Sequence, residues 1–166
     1  MRGARWNAVV EGYKSCLTKL QRMKQNVVST FTFDDMPNPF LKEKTPAQAL
    51  RQTAKIPFTQ KGTNYQRAVD YVLFLMTRGL SEAHLDYLTC VIFLSDGQCE
   101  GGYPEEGMRK LQAMKNEGRR MLFYTVACVT KEDEDMENMV HTMNGEHFNV
   151  QDPEATRQVF SIILGV

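Results

Sequence analysis

An unbroken apolar run, Val91–Leu94, ends on Ser95, Asp96 and Gly97, and a second short stretch, Gly62, Thr63 and Asn64, stands just ahead of a helical pattern. A hydroxyl and a carboxylate brought together from two such loops are hard oxygen donors, suited to Mg²⁺, which favours octahedral oxygen and keeps several waters. The same residues have a plainer reading, in which Thr63 caps its helix and Asp96 begins an Asp-Gly turn. In open parallel sheets ligands bind beyond the carboxyl ends of the strands, which is where a strand ending at Ser95 would deliver Asp96.

The surrounding elements predict such a sheet. From Arg5 to Lys24, apolar residues at Trp6, Val9, Val10, Tyr13, Leu17, Leu20 and Met23 mark one face of a helix. "NVVSTFTF" reads as a strand, "DDMPNP" as a loop, and "TPAQALRQ" as a short helix with Thr45 as N-cap and Pro46 at its first position. Pro57 limits "AKIPF" to an edge strand. A helix follows from Tyr65 to a left-handed cap at Gly79, and "YLTCVIFL" shows no alternation, as expected of a strand buried on both faces. Pro104 opens a helix closed by Gly118. Then come the strand "MLFYTVACV", a helix opened by Thr130 and Asp133 as a capping box and ended by Gly145, the strand "EHFNV", and a last helix capped by Asp152. This alternation predicts an α/β, doubly wound, mostly parallel sheet with helices on both faces, as one domain over residues 1–166.

Several function classes are excluded or left without support. Lys plus Arg and Asp plus Glu balance at 20 each, so no overall field draws in nucleic acid or an anionic membrane. The longest apolar runs fall short of the roughly 20 residues of a membrane helix, and no signal-peptide pattern opens the chain, so a cytoplasmic location is expected. Cys16, Cys90, Cys99 and Cys128 form no CxxC pair and read as scattered thiols, with Cys90 and Cys128 inert inside strands and Cys99 a bystander. His84, His141 and His147 lack metal spacing, the acids of "KEDEDMEN" suit a solvated helix start, and the methionines suit a core. Neither a phosphate-binding glycine motif nor a GxSxG elbow occurs, so no catalytic residue is expected.

In their order and wording, "GTN" at 62–64, "VIFLSDG" at 91–97, "FYTVACV" and "NGEHFNV" resemble a von Willebrand factor type A (vWA) domain over essentially the whole chain. The resemblance implies a Rossmann-like fold and a metal-ion-dependent adhesion site, in which Mg²⁺ is held by loop side chains and completes its shell with an acidic residue of a protein partner. Thr63 and Asp96 match the last two of those ligands, and Gly62, Asn64, Ser95 and Gly97 the rim that meets the partner. The family's first strand and its Asp-x-Ser-x-Ser loop have no counterpart, Met1 matching the residue after that loop, so the resemblance implies an incomplete copy that binds Mg²⁺ weakly. Three functions follow as expectations: a protein-interaction module using this rim; a metal-independent scaffold or ubiquitin-pathway or complex-assembly adaptor; and, least supported, a metal-assisted hydrolase using Asp96.

Overall fold

Thr45 and Asp133 show how local chemistry starts the helices of this protein, seen in a computed structural model that describes residues 3–23, 25–58, 62–84, 86–95, 99–128 and 133–163. The Thr45 hydroxyl accepts from the Gln48 amide while the Gln48 side chain accepts from the Thr45 amide, a reciprocal capping box that opens α2 (Pro46–Leu50). Asp133 accepts from the Met136 amide at 3.2 Å and opens α5 (Glu134–Met143). The N-cap is Asp133, and Thr130, the other residue of the expected capping box, lies outside the described residues.

The chain forms two compact units. The first, residues 1–32, 38–59 and 150–166, holds α1 (Ala4–Leu20), most of the two-stranded sheet of β1 (Val28–Phe33) and β2 (Pro37–Lys44), α2 and α6 (Pro153–Ile163). Leu17, Leu41 and Ala49 form one buried cluster in it, with Tyr13, Val28, Phe40 and Leu50 packed around them. α1 packs on α6 so closely that a Cβ on Gly12 would lie 2.6 Å from the Phe160 ring. Burial pushes the Tyr13 hydroxyl, which meets the Thr30 hydroxyl, up to about 12.

Two expectations fail around the two-stranded sheet and the helix after it. The loop expected over "DDMPNP" is confined to Asp34–Met36, because β2 begins at Pro37. Pro37 and Pro39 are tolerated there because an outer strand of a two-stranded sheet has N–H groups that need no ladder partner. "AKIPF" forms no strand: Thr53–Lys55 is a turn of 3₁₀ helix.

The second unit, residues 33–37 and 60–149, is built on a parallel sheet in the order β3 (Thr89–Ser95), β4 (Met121–Ala127), β5 (Glu146–Asn149). Thr89 pairs with Met121 and Ser95 with Ala127, and Tyr124 pairs with Glu146. Helices α3 (Tyr65–Phe74), α4 (Glu105–Asn116) and α5 flank it, α5 packing on β4. This is the mixed α/β, Rossmann-like class the alternation predicts, but among the described residues the parallel sheet has three strands and falls short of the larger, doubly wound one expected.

β3 corrects the expectation of a strand buried on both faces: among the described residues it pairs with β4 alone, and Val91, Ile92 and Leu94 are only half-buried. Its apolar sequence therefore signals an edge strand as readily as a central one. Cys128 is buried as expected, but solvent reaches Cys90. The protein mass around the Cys90 thiol nevertheless pushes it up to about 11, which keeps it protonated and a poor nucleophile.

α3 does not end on a left-handed Gly79. Leu75–Gly79 continues it as a π turn, with the Leu80 amide donating to the Leu75 carbonyl at 2.9 Å. α5 ends on Asn144 at φ 49, and the following Gly145 permits a close approach, since a Cβ there would lie 2.0 Å from the Phe123 carbonyl oxygen. Met108, Met136, Met139 and Met143 are buried, as the core reading of the methionines requires, whereas Met114 is half-buried and Met23 and Met36 are exposed.

Candidate functional site

Tyr65, the first residue of α3, is completely buried, with its ring edge-on to Phe93 at 5.3 Å and to Phe33 at 6.3 Å. Its hydroxyl donates to Asp133 Oδ2 at 2.6 Å, and the Ser95 side chain also hydrogen-bonds it. Burial and the adjoining carboxylate both raise the phenol far above its ordinary value, so it stays a neutral donor. Ser95 and Asp133 are themselves buried. One phenol thus joins the carboxyl end of β3 to the starts of α3 and α5, so that the two buried hydroxyls and the carboxylate each have a partner.

Three loops meet on this anchor. The Asn64 amide donates to the Asp34 carbonyl at 3.1 Å, and the Glu100 amide donates to the Thr63 carbonyl at 3.1 Å. The Tyr65 amide donates to Cys99 Sγ at 3.3 Å, so Cys99 helps hold the rim rather than standing by. Gly62, at φ +125, fits between two acids: a Cβ there would lie 2.4 Å from Asp35 Oδ1 and 3.5 Å from Glu100 Oε1. Any larger residue would be strained by its backbone and blocked by the Asp35 carboxylate.

Of the expected site residues, Gly62, Thr63, Asn64 and Ser95 come together here, while Asp96 and Gly97 lie outside the described residues. Asn64 Oδ1 accepts from the Arg67 amide at 2.9 Å and is the N-cap of α3. The helix is thus capped by Asn64 and not by Thr63, which removes the structural role first assigned to the threonine.

Sequence reasoning missed Asp35, Glu100 and the Tyr65–Asp133 pair. Asp35 and Glu100 read as ordinary loop acids, and it is the fold that brings both beside Gly62. Tyr65 read as one more apolar position on a helix, and its partner lies 68 residues away.

The donors at this rim are the Asp35 and Glu100 carboxylates with Thr63 beside them, oxygen groups of the kind Mg²⁺ accepts. Among the described residues no three His, Cys, Asp or Glu side chains gather as a metal-binding group. Such a set suits an ion that keeps most of its water, held loosely. The histidines lie elsewhere. His147 Nδ1 meets the buried Thr125 hydroxyl at 2.7 Å, burial lowers its pKa, and its Nε2 is buried without a hydrogen-bond partner among the described residues.

The chain matches no protein-family model and no curated protein sequence. Among solved structures it is similar to an aerotolerance-related membrane protein from Bacteroides fragilis NCTC 9343, crystallised with multiple mutations to serines. The two share 13% identity and a TM-score of 0.61, over 95% of this chain and 89% of that one. At this identity the likeness is one of fold, and it extends along nearly the whole chain. Among the described residues no helix is long and apolar enough to cross a membrane.

Proposed function

We propose that this chain is a protein-interaction module of the vWA type, with its partner bound at the rim formed by Gly62–Asn64 and Ser95–Gly97. The observation that carries the proposal is the convergence of three loops at the carboxyl end of β3 on the buried Ser95–Tyr65–Asp133 anchor. Rigidly held loops over a parallel sheet are where this architecture places binding groups. The fold-level similarity to a solved α/β protein and the sequence motifs agree with this reading. Recognition rather than turnover is the activity proposed.

In this reading Thr63 and Asp96 hold a weakly bound, largely hydrated Mg²⁺. The ion's contribution is a positive point that a partner carboxylate recognises, while Asn64 and Ser95 fix the loops around it.

A second reading, a metal-independent scaffold or assembly adaptor, is favoured by the two acids at Gly62. Asp35 and Glu100 attract a basic partner side chain directly, without an ion.

Capture of binding proteins by the wild-type chain and by Thr63→Ala and Asp96→Ala, each with Mg²⁺ and with EDTA, separates the readings. A partner lost in both variants and in EDTA supports the ion-mediated rim. One that survives EDTA but is lost from Asp35→Lys supports the scaffold. A partner retained by all three variants contradicts both.

A further inference from the structure

Away from the rim, α3 with its π turn and α4 enclose an open groove of about 540 Å³. Its middle is apolar, formed by Leu73, Phe74, Ala113 and Met114, and Phe74 remains 50% exposed although its ring stacks on Tyr71. A large aromatic left in water at the centre of a two-helix groove is the kind of anchor that interfaces bury.

The charges around it follow a pattern that reads the same in both directions. On the α3 side Asp70 and Arg78 lie four residues before and four after Phe74. On α4, Lys110 lies three residues before Ala113 and Glu117 three residues after Met114, with the sign order reversed. The present partners of two of these groups are exposed and exchangeable: Lys110 pairs with Glu106 at 2.6 Å, and Asp70 accepts from Gln66 at 2.8 Å.

We infer that this face binds a second copy of the chain, across a two-fold axis that crosses the helices beside Phe74. Turned about that axis, each helix lies antiparallel on its own mate. Asp70 then meets Arg78 of the second copy, Lys110 meets Glu117 of the second copy, and the two Phe74 rings come together at the centre. A two-fold interface must be self-complementary, and a patch in which an acid and a base flank the centre of each helix, Phe74 on one and Ala113 with Met114 on the other, satisfies that requirement. A foreign helix would need no such symmetry. Two helices a side put the interface at the small end of specific contacts, so the dimer is a weak one. None of these residues belongs to the rim, and the rim reading stands whether or not the dimer forms.

Sedimentation equilibrium of the whole chain over a wide concentration range tests the inference, with circular dichroism confirming that each variant is folded. The wild type is expected to move from monomer toward dimer, less so at high salt. Asp70→Arg and Arg78→Asp each place like charges face to face and are expected to weaken association by on the order of tenfold or more. An equimolar mixture of these two variants restores the complementary pairs and is expected to recover dimer. A wild type that stays monomeric throughout, single variants that associate as well as the wild type, or a mixture that fails to recover would each overturn it.

Discussion

The hydroxyl of Tyr65 and the Oδ2 of Asp133 lie 2.6 Å apart, in a bond that joins the first turn of α3 to the cap of α5 beneath the rim. Asp133 carries two duties, accepting from the Met136 amide through Oδ1 and from Tyr65 through Oδ2. Removing the phenol hydroxyl leaves a buried carboxylate short of a donor. Tyr65→Phe is therefore expected to destabilise the fold by about 1–3 kcal/mol, read as a lower urea midpoint at unchanged slope. A change within experimental error would mean that water replaces the hydroxyl.

The same phenol ties stability to alkaline pH. Its folded pKa is raised above the unfolded value of 10.0, so its contribution is complete below that value. It fades as pH rises beyond 10.0, where the unfolded chain ionises first. Thermal midpoints of the wild type should fall more steeply above that pH than those of Tyr65→Phe.

His147 acts at the other end of the scale. Burial lowers its folded pKa below the 6.5 of the free side chain, so the unfolded state takes up a proton that the folded state resists. Its stabilising effect is whole above 6.5 and is lost as pH falls below it toward the folded pKa. His147→Gln should flatten the dependence of stability on pH between neutrality and the mildly acidic range. An equal slope in both proteins would show that another group is responsible.

Gly145→Ala tests the junction of α5 and β5. Its Cβ would lie 2.0 Å from the Phe123 carbonyl oxygen, a backbone atom that cannot turn aside. The cost expected is about 1–3 kcal/mol, as for other overpacked sites, seen in denaturant titration.

Mg²⁺ should matter little to stability. With Asp35, Glu100 and Thr63 as the described oxygen donors, EDTA and micromolar Mg²⁺ are expected to give the same melting temperature. A rise of several degrees at micromolar Mg²⁺ would reveal a tight site.

The sequence made the alternation of elements legible because helix caps and apolar periodicity are local signals. Thr45 with Pro46, Asp152 and the methionine spacing of α5 each lead to the element found. What stayed hidden depends on partners far along the chain. Whether "CVIFL" is central or an edge depends on which strands lie beside it, and two prolines concealed β2 because their tolerance depends on the same fact. At the rim, the glycine, the threonine and the end of β3 were readable as a constellation. The acids facing Gly62 and the phenol beneath Ser95 were not, since a positive φ and a contact across 68 residues have no local signature.

The most direct measurement of the central claim is hydrogen–deuterium exchange of the chain alone and bound to a captured partner, followed peptide by peptide. The rim account predicts protection concentrated in peptides covering residues 62–64 and 95–100, with α6 unchanged. Protection confined to other surfaces, with those rim peptides exchanging as in the free chain, would contradict it.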